Sequence, residues 1–244
     1  MGPATREKSS SAPGVAQTGT AGTSATIVEI RDPQTLKAER ADTNAGQYLS
    51  PEPLIESDDP DIRAEAEGAI RGITDRRAQA ERLTRFVNGL LEKKPTISIP
   101  SAREVLRTKV GDCNEHTALF VAMARAVGIP ARIAVGLVFV RGAFYYHAWP
   151  EVYIDEGAGR GLWLPVDPTL NEFPADATHI RLARGGLDKQ TAILPLIGRL
   201  KMTVLDLDVE PCSRRVLAGA TAPVDLGALA IPLPSRKTCC ACGR

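Results

Sequence analysis

The stretch from Thr117 to Val127 is apolar at nearly every position, with Arg125 its only charge, and it ends at Gly128 and Pro130. Asp112 and Glu115, three residues apart, stand before it in the pattern of a helix start, and Gly128 stands where a left-handed C-terminal residue belongs. A helix of about fifteen residues that is apolar nearly all round has to be enclosed on all sides. It is therefore expected at the centre of a domain, with Cys113 in its first turn.

The segments on either side set the class of fold. Upstream, 59–73 has helical composition, and Leu83, Phe86, Val87, Leu90 and Leu91 recur at helical spacing within 75–92. Ser101-Ala-Arg-Glu104 has the form of a capping box opening a short helix to about Arg107. Downstream the pattern becomes that of strands: 133–140, a turn at Arg141-Gly142, 144–154, a glycine-rich loop over 155–161, and 162–166. Helices followed by an antiparallel meander make an α+β domain, with N-terminal helices and the buried central helix packed on the sheet. The stretch 193–209 has enough Leu, Ile and Val for one or two further strands.

With 244 residues, a domain can bury a sizeable core. The expected division is a disordered low-complexity linker over 1–45, a folded α+β domain over 46–210 and an unassigned tail over 211–244. In the first 26 residues, 20 are Gly, Ala, Ser, Thr or Pro, and none is aromatic. A net charge of +1 removes the basic footprint of nucleic-acid or anionic-membrane binding. Nowhere do about 18 apolar residues run together, so no spanning helix is expected. The compartment stays open, cytoplasmic by default and exported if the N-terminus belongs to a longer precursor; so does the oligomeric state. Cys239, Cys240 and Cys242 crowd the last six residues. Without a second pair or a nearby His they do not complete a metal site.

Eight of the eleven aromatic residues lie between positions 139 and 173, around His147. A two-residue turn at Arg141-Gly142 sets Val140 opposite Ala143 and His147 opposite Gly136. Pairing Ile154 with Leu162 sets Trp149 opposite Asp167, which makes Asp167 a diagonal neighbour of His147 on one face. Pro150, which has no N–H to donate, then opposes Ile133 in the middle strand, an awkward place for it. Cys113 at a helix start faces oriented N–H groups and the positive end of the helix dipole, both favouring thiolate. Asp112 and Glu115 oppose that ionisation. His116 is close to Cys113 but has no acid to orient it, and reads as a packing residue or a local hydrogen-bond partner. His179 reads as a loop residue. In this register Trp149 shares the face of His147 and is the expected wall of a substrate groove, while Tyr146 points into the core.

Three blocks, Gly111-Asp112-Cys113-Asn114-Glu115-His116, Tyr146-His147-Ala148-Trp149-Pro150-Glu151-Val152-Tyr153 and Trp163-Leu164-Pro165-Val166-Asp167-Pro168-Thr169, together resemble the bacterial transglutaminase-like superfamily in order and spacing. The resemblance covers about 48–209. It implies a papain-like α+β core with Cys113 as nucleophile, His147 as base and Asp167 as the residue that orients it. It implies acyl transfer at amide bonds of peptide or protein substrates, with hydrolysis expected over transamidation. No cofactor or metal is implied, and nothing in the chain resembles an EF-hand loop. The Cys113 N–H is the expected oxyanion donor; the second donor has no signature. The competing readings are a non-catalytic peptide-binding or scaffold module, and a metal-binding tail on Cys239, Cys240 and Cys242.

Overall fold

The computed structural model describes residues 17–21, 26–95, 101–185, 200, 202–204, 221–222 and 224–225. The cysteine-rich tail and most of the stretch 193–209 lie outside the described residues. In chain order the strands are β1 (Gln17–Ala21), β2 (Thr26–Ile30), β3 (Glu39–Arg40), β4 (Glu92–Lys93), β5 (Val110–Gly111), β6 (Ala131–Val140), β7 (Ala143–Gly157), β8 (Arg160–Pro165), β9 (His179–Arg184), β10 (Met202–Thr203), β11 (Thr221–Ala222) and β12 (Val224–Asp225). The helices are α1 (Pro60–Ala69), α2 (Arg76–Leu90), α3 (Ala102–Thr108) and α4 (Cys113–Ala126).

Each helix starts where its sequence provides an acceptor for the unpaired N–H groups of the first turn. Asp59 accepts from the Asp61 and Ile62 N–H groups, and Asp75 from that of Ala78 at 2.7 Å. The box expected on α3 is only half made. Ser101 Oγ accepts from Glu104 N at 3.5 Å, but the Glu104 carboxylate turns to Arg107, and Ser101 donates to Glu56 at 2.6 Å. On α4 the box is complete: Asn114 N donates to Asp112 Oδ1 at 3.0 Å, and Asp112 N to Glu115 Oε2 at 2.9 Å. Gly111 carries no side chain because a Cβ there would lie 2.2 Å from that of Glu115.

Helix α4 is buried along almost its whole length, as its sequence requires, with α1, α2 and α3 on its flanks and β6 and β7 beneath it. The charge in its last turn is answered: Arg125 donates to the carbonyls of Ala131 and Ser50 and pairs with Glu52 at 3.0 Å. Gly128, at φ +79°, ends the helix in the left-handed conformation.

The main sheet has the order β3-β8-β7-β6-β9, antiparallel throughout, with β12 alongside β7 in parallel. Both expected hairpin registers hold: Val140 pairs with Ala143, His147 with Gly136, and Ile154 with Leu162. Pro150 does pair with Ile133, and its difficulty resolves at the other edge. Its carbonyl accepts from Val166 N at 2.9 Å, on the side where the β7–β8 ladder stops at Glu151 and Pro165. A strand residue's N and C=O point to the same side, so the missing donor faces a place where the ladder has ended.

Two expectations are corrected here. Residues 38–45, counted with the linker, belong to the packed unit. β3 pairs with β8, Ala38 and Ala45 are buried, Asp42 N donates to the Tyr153 hydroxyl at 3.0 Å, and Trp163 Nε1 donates to Asp42 Oδ2 at 2.9 Å. Composition carries no record of such long-range partners. The region after Phe173 also holds a strand that the sequence did not announce, β9, which pairs with β6 across a register shift at Val135/Gly136.

Gly136 is the point of closest approach between those strands: a Cβ there would sit 2.0 Å from the Ile180 carbonyl oxygen. Gly136→Ala is therefore expected to push β9 off β6 and to cost about 1–3 kcal/mol. Urea denaturation checks this, through a lower midpoint at an unchanged slope.

Candidate active site

Along β7 the stretch between Tyr145 and Glu151 has no strand on the edge away from β6 among the described residues, where β12 pairs with Phe144 and Tyr145 and β8 from Glu151 onward. The N-terminal turn of α4 approaches β7 in this gap. Thr117 Oγ1 donates to the Ala148 carbonyl at 3.0 Å, and the Cys113 thiol is hydrogen-bonded by the Ala148 backbone. Cys113 is thus held against the residue that follows His147.

His147 Nε2 lies 2.7 Å from Asp167 Oδ2, and both side chains are buried. The diagonal placement read from the two hairpins is therefore realised. Asp167 is itself tied down by the Thr169 and Leu170 N–H groups, at 2.7 and 3.0 Å from Oδ1. Helix α2 holds this turn from outside, through Asn88 Nδ2 donating to the carbonyls of Pro168 and Thr169. Burial works against the Asp167 charge, but His147 and His179 overcome it and hold the carboxyl well below the usual carboxylate range. An ionised Asp167 accepts only, so His147 Nε2 carries a hydrogen, and it is Nδ1 that is left to face away from the carboxylate. Nδ1 is buried with no hydrogen-bond partner among the described residues.

The environment of the thiol differs from expectation. Burial, followed by the charge of Asp112 and the carboxylates of Asp167 and Glu115, pushes the Cys113 thiol well above its ordinary value; the hydrogen bond from Ala148 pulls the other way. The helix start favours thiolate, but desolvation and three acids outweigh it. At rest the group is a thiol.

The other histidines are resolved too. His116 Nδ1 lies 2.6 Å from the Asp112 carbonyl, and burial lowers the ring to about 4, so it is a neutral packing residue of α4. His179, read as a loop residue, is the buried first residue of β9, with Nε2 3.0 Å from Asp167 Oδ2. Burial alone would lower it; hydrogen bonds to Asp167 and Asp176 raise it to about 10. Trp149 also departs from its expected role. It is fully buried, stacked on His147 at 6.0 Å between centroids and edge-on to His179 at 5.1 Å, so it supports the imidazoles and forms no groove wall. Tyr146, assigned to the core, is the more exposed of the two.

Two groups bring donor atoms together densely enough to suggest a cation: His147, Asp167 and His179, and Glu172, Asp176 and His179. In the first, both contacts with Asp167 are hydrogen bonds. A doubly protonated His179 has no lone pair for a metal. No described helix is long and apolar enough to cross a membrane.

A family model described as the transglutaminase-like superfamily matches residues 63–168, a span that includes Cys113, His147 and Asp167 and ends before His179. The search among curated proteins gave no match. Among solved structures, the chain is similar to a candidate cysteine protease from Cytophaga hutchinsonii, at 24% identity and a TM-score of 0.50, over 59% of this chain and 48% of that one. It is also similar to the periplasmic domain of TgpA from Pseudomonas aeruginosa, at 24% identity and a TM-score of 0.40, over 54% of this chain and 50% of that one. The chain spans about half the length of these structures. The first likeness is one of fold and agrees with an α+β papain-like core.

His179 gives the cluster a definite pH signature. A histidine raised in the folded state from 6.5 to about 10 contributes stability that is whole below about pH 6.5 and is lost as pH rises through about 10. The gap in melting temperature between the wild type and His179→Gln is expected to be widest near pH 5 to 6.5 and to close towards pH 10. Calorimetry across that range checks it.

Proposed function

The chain carries a domain of the transglutaminase-like superfamily, and from that premise we propose that it is a thiol enzyme acting on amide bonds of peptide or protein substrates. The observation that carries this reading is the unpartnered Nδ1 of His147, whose other nitrogen is fixed on a buried, ionised Asp167 while Cys113 is held against Ala148. Such a ring has one task left open, to take and return a proton.

In this reading Cys113 begins as a thiol. As Sγ attacks the amide carbonyl carbon, His147 Nδ1 takes the thiol proton, and Asp167 stabilises the imidazolium that forms. The C–N bond then breaks, the amine leaves with the proton from His147, and a thioester remains on Cys113. Water then attacks the thioester as His147 takes its proton, the C–S bond breaks to release the acid, and His147 returns the proton to sulfur; a primary amine attacking in the same way gives a new amide. The Cys113 N–H, in the first turn of α4, is available to the oxyanion. Hydrolysis is favoured over transamidation because no acceptor-amine site is apparent among the described residues. His116 Nε2, Tyr146 Oη and Trp149 Nε1, on residues near Cys113 and His147 in the chain, are likewise buried without partners among the described residues. The catalytic unit of this reading begins near Ala38.

A second reading, a peptide-binding module that retains the fold, has one observation in its favour: the thiol is only 5% exposed and its ionisation is opposed. Amide hydrolysis by purified protein decides between them. Cys113→Ala is expected to abolish turnover and His147→Ala to reduce it by about 10²–10⁴. If neither variant differs from wild type on a peptide amide panel, the enzyme reading fails. The same panel with and without a primary amine separates the two products. A further expectation concerns iodoacetamide. Its reaction with Cys113 should be slow at neutral pH without substrate, because access and ionisation both limit it.

A further inference from the structure

Asp167 serves two imidazoles from one oxygen. His147 Nε2 and His179 Nε2 lie 2.7 and 3.0 Å from Oδ2, while Oδ1 is taken up by two backbone N–H groups. The other nitrogen of His179 faces Asp176 Oδ1 at 3.5 Å and Glu172 Oε2 at 4.0 Å. Thr178 Oγ1 also lies 3.5 Å from that nitrogen, and with a carboxylate facing each of its nitrogens the ring is favoured as a cation. The two rings are 5.6 Å apart between centroids, and His179 is 1% exposed, so little water separates the charges. His179 also lies beyond the span matched by the family model, which ends at residue 168.

We propose that His179 is a positioning residue of the Cys113 site: a buried imidazolium that shares Oδ2 of Asp167, fixes that carboxylate and limits how much negative charge it lends to His147. The proposal rests on the acyl-transfer reading of Cys113, His147 and Asp167. Its physical basis is competition for one anion. A buried carboxylate that served His147 alone would lend its whole charge to that ring and favour the imidazolium over the free base. A second cation on the same oxygen offsets that attraction and repels a proton arriving at His147.

The groups that act on this cluster come from every element around it. Glu172 and Asp176 face His179 from the loop after β8, and His147 and Trp149 from β7. Lys93 of β4, and His116 and Cys113 of α4, act on Asp167 from the helical side. The site is reached from β9 only because Gly136 lets that strand close on β6.

The experiment is an NMR titration of the His147 ring in the full-length chain carrying Cys113→Ser, with and without His179→Gln. Glutamine keeps a donor for Asp167 and removes the charge. Removing the cation is expected to raise the His147 titration by about one to two pH units. In the chain with Cys113 intact, the acid limb of the activity profile should move to higher pH by the same amount, since the base must be deprotonated to work. Asp176→Asn, which loosens the charge on His179 without touching Asp167, should move both in the same direction by less, and it carries the test if His179→Gln does not fold. Unmoved His147 titration in the folded variants overturns the proposal, even if activity falls. A shifted titration in a chain whose wild type hydrolyses no amide would instead overturn the acyl-transfer reading and leave the role of His179 in setting the state of His147 standing.

Discussion

A carboxylate with no solvent exposure survives in a folded domain only when its lone pairs are answered by donors, because an unpaired buried charge costs several kcal/mol. Asp167 is such a group, and four donors converge on it: two imidazoles on Oδ2 and two backbone N–H groups on Oδ1. They come from three parts of the fold. β7 brings His147, β9 brings His179, and the turn that α2 clamps through Asn88 brings Thr169 and Leu170. Moving any one of these elements would leave charge unanswered, so the sheet order and the site are parts of the same electrostatic constraint.

The gap along β7 is the second condition. A continuous β8 would satisfy Ala148 from the ladder and exclude the helix. Instead β8 stops at Pro165, and Ala148 is answered by Thr117 of α4. Pro150 belongs to this arrangement, since it offers no donor on the edge where the ladder ends. A buried helix can therefore present its first turn to a strand edge, which is how the Cys113 thiol comes to be held against the strand that carries His147.

Much of this was readable from the residues, for definite reasons. The burial of α4 follows from an apolar surface all round, and the two hairpin registers follow from short turns that leave little freedom. Those registers placed His147 and Asp167 on one diagonal, 2.7 Å apart in the structure. What escaped depends on contacts between segments far apart in the chain. His179 reaches Asp167 through an irregular connection and a shifted register against Gly136, neither of which has a local signature. The face of Trp149 was right, but what covers that face was not visible, and the covering turned a groove wall into a buried support. The ionisation of Cys113 was read from its helix start; its burial beside three acids, which reverses the balance, exists only in the folded domain.

That reversal bears on how such a site would work. A thiolate on Cys113 would be repelled by Asp112, Glu115 and Asp167, so storing the charge before substrate arrives is the costly route. Holding the proton on sulfur until attack avoids that cost, and it places the burden on a base that is neutral when needed. His179 holds the same oxygen of Asp167 as His147, so in the reading proposed above its cation and the acids around the thiol act on opposite ends of one proton transfer.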